Sequence, residues 1–156
     1  MVVAAGKPMA EAGVVREWRA PFPLEVRLTL SVHGRGRSDP TFRVDRAGAV
    51  WRTSLTPEGP GTIRVAATNP KPPQPDTSAA AGTRVLAQAW GPGATWLLDA
   101  LPAALGLHDD VSGFDPGPHP VLREIARRHS GLRLGRSGLL MEALVPAIRD
   151  AFGRSR

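Results

Sequence analysis

Up to Trp90 the apolar residues of this 156-residue chain tend to recur at every second position; beyond Gly93 they recur at every third and fourth. A period of two belongs to strands half-buried on a sheet, and a period near 3.6 to amphipathic helices. The chain therefore reads as a sheet followed by helices, an α+β arrangement in which the sheet is antiparallel.

The alternation is strictest in Leu24-Glu25-Val26-Arg27-Leu28-Thr29-Leu30-Ser31-Val32, which predicts a first strand. His33-Gly34-Arg35-Gly36-Arg37-Ser38-Asp39-Pro40 reads as a turn or exposed loop. Further strands are expected at Thr41–Asp45, Ala49–Leu55, Thr62–Thr68 and Thr83–Trp90, the last with Val85, Ala87 and Ala89 on one face. Residues 1–17 show no consistent period and read as a disordered tail. Between the fourth and fifth strands, residues 69–81 hold Pro70, Pro72, Pro73 and Pro75. Each proline lacks a backbone donor, so the segment is expected to be a mobile insertion rather than part of a ladder.

In the second half, Trp96, Leu97, Ala100, Leu101 and Ala104 form a helical stripe, with Pro102 inside it. A second helix should start near Pro118 or Pro120 and turn Val121, Leu122, Ile125 and Ala126 inward. Arg127, Arg128 and His129 at its end suit the negative pole of the helix dipole. A third helix is expected from an N-cap at Ser137, with Glu142 in its early turns and Pro146 inside it. These patterns divide the chain into a tail (1–17), a sheet domain (18–116) and a helical segment (117–156).

Composition narrows the chemistry. The sequence has no cysteine, hence no disulfide, thiolate nucleophile or Cys-based zinc site. No run of about 18 apolar residues is present, so no membrane-spanning helix is expected. Met1 to Ala12 lacks the pattern of a signal peptide, which points to the cytoplasm. The formal charge is +6, carried almost wholly by arginine, and a basic balance suits an anionic partner such as nucleic acid. The arginines are scattered, however, and an Ala/Gly/Pro/Arg-rich composition produces such a charge without any binding role.

No catalytic constellation stands out. Gly34-Arg35-Gly36 lacks the strand–loop–helix setting of a phosphate cradle. His33, His108, His119 and His129 are not at metal-ligand spacing, and nothing calls for a cofactor or a metal. Asp109, Asp110 and Asp115 lie in a Pro/Gly loop and read as turn caps. Ser112-Gly113 lacks the flanking pattern of a nucleophile elbow. Trp18, Trp51, Trp90 and Trp96 could stack on bases, but the places of the last three in strands and on a helix stripe favour core packing.

Two sets of residues carry a family resemblance. Gly131-Leu132-Arg133-Leu134, followed after a spacer by Leu139-Leu140-Met141-Glu142-Ala143-Leu144-Val145-Pro146-Ala147-Ile148, is similar to the junction into the helix-hairpin-helix domain of AlkA-like DNA-3-methyladenine glycosylases. Pro21-Phe22-Pro23-Leu24, Asp39-Pro40-Thr41-Phe42-Arg43, Ala89-Trp90-Gly91-Pro92-Gly93-Ala94 and Gly113-Phe114-Asp115-Pro116 resemble the N-terminal domain of the same family. The resemblance runs from about Trp18 to Ile148. It implies a curved antiparallel sheet like one half of a TATA-binding protein, leading into an all-α domain. The family flips a damaged base out of alkylated DNA and cleaves its glycosidic bond during base excision repair. There an aspartate stabilises the developing charge, and a helix-hairpin-helix holds the phosphates.

After Ile148 this chain reads Arg149-Asp150-Ala151-Phe152-Gly153-Arg154-Ser155-Arg156, and neither the hairpin nor the aspartate has a counterpart. The resemblance thus implies a truncated family member with no catalytic residue of its own. DNA contact would be weak, nonspecific and salt-sensitive, through Arg133, Arg136, Arg149, Arg154 and Arg156. The last helix, deprived of the family's helical domain, should expose apolar surface and favour self-association. The alternative is a stand-alone nucleic-acid- or protein-binding α+β module without catalysis.

Overall fold

A computed structural model describes residues 12–36, 38–68 and 82–153. The insertion expected at 69–81, and Arg154 and Arg156, lie outside the described residues. Five strands form one antiparallel sheet: β1 (Val14–Arg19), β2 (Phe42–Val44), β3 (Val50–Thr56), β4 (Gly59–Thr68) and β5 (Arg84–Trp90), in the spatial order β1-β5-β4-β3-β2. Helix α1 (Val26–Ser31) joins β1 to β2, and α2 (Ala94–Ala104) follows β5. Two further helices, α3 (Pro120–Arg128) and α4 (Leu140–Gly153), complete the described chain.

Four of the expected strands form where the alternation places them; the first does not. Residues 24–32 hold α1, and the strand beside β5 is instead β1, drawn partly from the expected tail. Both corrections have one cause. The free edge of β5 accepts a single partner, and Val14–Arg19 fills it in antiparallel register, with Trp18 opposite Val85. The following apolar residues then cover the sheet rather than extend it. Leu24, Val26, Thr29 and Leu30 are buried while Leu28 and Val32 are exposed. Val26, Thr29 and Leu30 have a helical spacing, and a strand would have turned Leu28 and Val32 to the same side as Val26 and Leu30. Packing here overrides the local β preference.

One face of the sheet is dry. Val50, Ile63, Val65, Val85, Ala87 and Ala89 point from it into a core closed by Leu24, Val26 and Leu30 of the α1 segment and by Leu97, Leu98 and Leu101 of α2. Small residues at 87 and 89 let α2 approach β5 closely. Phe42, Trp18 and Trp96 pack on the margin of this core. The opposite face carries Arg43, Trp51, Arg64, Gln88 and Val15 in one cross-strand row.

Residues 129–139 form a strap across the core side. The Gly131 carbonyl accepts the Glu25 N–H at 2.9 Å, and the Arg136 N–H donates to the Ala103 carbonyl at 2.9 Å. A Cβ on Gly135 would sit 1.7 Å from the Ala104 carbonyl oxygen, so only glycine lets the strap pass the end of α2. Leu139 is buried at the strap's end. The Gly131–Leu134 segment that carries the family resemblance is thus bound to the sheet domain itself.

Helices α3 and α4 stand apart, and neither packs broadly on another element. Pro120 opens α3 at its first turn, as expected, but no residue of α3 is buried. Val121, Leu122 and Ile125, expected to turn inward, are exposed. Helix α4 begins at Leu140 rather than directly after Ser137, because Gly138 at φ 69° interrupts the helical backbone; the Ser137 hydroxyl accepts the Leu139 N–H at 3.2 Å.

Candidate functional site

Two places gather polar and aromatic side chains. The first is the open face of the sheet. There the indoles of Trp51 and Trp90 stack over β4, with centroids 5.4 Å apart and planes 6° from parallel. Core packing was the expectation for both, and the register overturns it: Trp51 and Trp90 alternate with the buried Val50 and Ala89 and so face the other way. Trp96 and Trp18, by contrast, lie on the core side.

The Arg43 guanidinium lies 4.7 Å from the Trp51 ring centre. Because β2 borders β3 on one side and β5 lies beyond β4 on the other, Arg43 and Trp90 approach Trp51 from opposite sides. Beyond Trp90, the backbone of Gly13 comes so close that a Cβ there would meet the indole Nε1 at 2.5 Å. Asp45 anchors the array: its carboxylate accepts the Trp51 Nε1–H at 3.0 Å, the Arg64 Nε–H at 3.3 Å and the Ala49 N–H at 2.9 Å. The Trp51 hydrogen bond, with help from Ala49 and Arg64, holds Asp45 below the usual aspartate range. Base stacking requires a free ring face. Among the described residues, Trp51 lies between Arg43 and Trp90, so the array is a ladder across the open face rather than a platform for a base.

The second place is a cleft of about 420 Å³ between the β2–β3 edge and α4, lined by His33, Arg35, Thr41, Arg52, Met141 and Glu142 among others. Glu142, in the first turn of α4, reaches across to β3. Its Oε2 accepts Arg52 Nη2 at 2.6 Å and the Ser54 hydroxyl at 3.2 Å, and its Oε1 accepts the Leu55 N–H at 3.0 Å. Arg35 Nη2 donates to the Glu142 backbone carbonyl at 2.5 Å. Burial, followed by the Arg52 charge, pushes the His33 imidazole down to about 4, while Glu142 opposes the shift. His33 is therefore neutral at physiological pH and adds no charge to the cleft.

Sequence reasoning passed over Arg52 and Ser54, left Arg35 in a turn, and placed Glu142 in the early turns of the last helix without a partner. A signal was present. Arg52 and Ser54 fall on the same face of β3 as Val50, and polar side chains on a core-facing register have to find polar partners.

The arginines proposed for DNA contact separate. Arg133 is buried in the strap, its guanidinium 4.4 Å from the Phe22 ring centre and its Nη1 donating to the Ser130 and Leu132 carbonyls at 2.8 and 2.9 Å. It clamps the strap and does not reach a phosphate, so it leaves the set of DNA-contacting candidates. Its Nε is buried without a hydrogen-bond partner among the described residues. Arg136 is exposed on the strap, and Arg149 is exposed on α4 with Asp150 at 3.6 Å. Among the described residues no cluster of His, Asp and Glu could hold a metal ion, and no helix is long and apolar enough to cross a membrane.

Fold and site together define an α+β domain: an antiparallel sheet with helices on one face, a strap across its core side, and a helical arm held by one carboxylate. No protein-family model matches the sequence, and no curated protein or solved structure shows significant similarity to it.

Proposed function

We propose that this chain is the sheet domain and first helices of a DNA-3-methyladenine glycosylase of the AlkA-like, helix-hairpin-helix kind, and that it excises no base by itself. The sheet, in this reading, is the family's half-TATA-binding-protein domain. The observation that supports it most is the orientation of the last two helices. Leu140, Leu144, Val145, Ile148 and Phe152 of α4, with Val121, Leu122 and Ile125 of α3, are turned to solvent rather than to the sheet. Leu140 is 72% exposed and Phe152 80%. So many large apolar side chains in two adjacent helical segments exceed the scattered exposure of an ordinary surface. They suit helices that open a larger helical domain, which is the place the resemblance gives them.

Co-expression with the helix-hairpin-helix region of an AlkA-like glycosylase, supplied as a separate chain, tests the reading. The chain alone should release no 3-methyladenine from methylated duplex DNA above background. Together the two should co-purify, and the exposed leucines of α4 should become protected from solvent. Release of 3-methyladenine by the chain alone, or failure of the two to associate while each is folded, would refute the proposal.

A further inference from the structure

The cleft holds a donor set whose origin lies in the end of a strand. The β2–β3 ladder closes where the Thr53 N–H donates to the Thr41 carbonyl at 2.8 Å. Pro40, which turns the chain away, leaves β3 without a neighbour beyond that point. The next N–H that β3 presents to this edge is that of Leu55, two residues on. An edge N–H facing no strand needs an acceptor, and it takes Glu142 Oε1 at 3.0 Å. Arg52 Nη2 and the Ser54 hydroxyl converge on the other oxygen. Guanidinium, hydroxyl and backbone N–H, all aimed at one point, are the donors that hold a carboxylate or a phosphate. The neighbouring acid, Asp39, is already engaged by the Arg35 N–H and by the N–H and hydroxyl of Thr41.

Every donor in this set belongs to the sheet domain, whereas the anion arrives on a helix that packs broadly on nothing. We propose that Arg52, Ser54 and the Leu55 N–H form a phosphate-binding site of the sheet domain, which Glu142 occupies in cis. Displacement of α4 opens it. Arg35, adjoining the same cleft, supplies a second guanidinium for a phosphate oxygen once it releases the Glu142 carbonyl. This inference is independent of the glycosylase reading.

The test compares the full chain with its Glu142→Ala and Glu142→Gln variants, titrated with inorganic phosphate and, separately, with a short single-stranded oligonucleotide at matched salt. A tethered carboxylate competes at an effective concentration on the order of millimolar, so its removal should tighten phosphate binding about ten-fold. Amide exchange should accelerate along α4 and stay slow in the sheet. Adding Arg52→Met to either variant should abolish the gain. A gain with inorganic phosphate assigns a free phosphate group as ligand; a gain with the oligonucleotide alone assigns the phosphodiester backbone. No gain in either folded variant with either probe, or a gain that survives Arg52→Met, would overturn the proposal. The Gln variant keeps the helix's size and polarity, so the question remains answerable if the Ala variant is unfolded.

Discussion

Two adjacent leucines at the entrance of α4 allow a direct measure of where the folded core ends. Leu139 is 9% exposed and faces Leu30, Val50, Ile63, Leu97 and Leu101, whereas Leu140 is 72% exposed. Truncating a buried leucine to alanine costs about 2–5 kcal/mol, from lost transfer energy and the cavity left behind. Leu139 sits at the mouth of the core, where the strap can relax into the gap, so the low end applies: about 2 kcal/mol for Leu139→Ala. Leu140→Ala trims a mostly exposed side chain and should stay within about 0.5 kcal/mol. With a urea m-value near 2 kcal/mol/M, these become midpoint shifts of about 1 M and no more than about 0.25 M, with m unchanged. Urea unfolding followed by tryptophan fluorescence measures both. Equal shifts for the two variants, or a shift below about 0.25 M for Leu139→Ala, would show that the strap is not part of the core. The same reasoning locates the shortest stable chain. Cuts after Arg136 and after Leu139 both remove Glu142, but only the first also removes Leu139, so it should be the costlier of the two by about the amount of the point variant.

Two other perturbations probe the strap and the open face. Gly135→Ala drives a methyl group into the Ala104 carbonyl and should break the Arg136 N–H to Ala103 bond, lowering stability by about 1–3 kcal/mol; unfolding within about 0.5 kcal/mol of the parent chain would contradict that geometry. Asp45 has a folded pKa depressed below its ordinary 3.8, so its contribution to stability is fully present above that value and is lost as the pH falls below it. Asp45→Ala should remove this acid limb and weaken the exciton signal of the Trp51–Trp90 pair in circular dichroism, whereas a signal unchanged in the variant would disprove the anchoring role.

Much of the architecture was legible in the sequence because period and face coincide in four of the strands. Val85, Ala87 and Ala89 alternate with exposed or half-exposed neighbours in β5, and they line the core as the pattern requires. The stripe of α2 likewise names its buried side, and Pro120 marks the start of α3. Such local signals report which side of an element is apolar; they do not report what the side meets. Leu24–Val32 satisfies a strand pattern, and its Val26, Thr29 and Leu30 also fit one face of a helix. Only the prior claim of Val14–Arg19 on the β5 edge decided between the two. Trp51 and Trp90 sit in ideal strand positions, yet register placed them on the open face, where Arg43 and Gly13 enclose them. Arg133 looked like a surface cation until the strap folded it over Phe22. The cleft was the least legible feature, because Glu142 stands 90 residues beyond Arg52. No spacing rule links them: the site exists because β2 stops one rung short of the Leu55 N–H and the fold brings α4 to that vacancy.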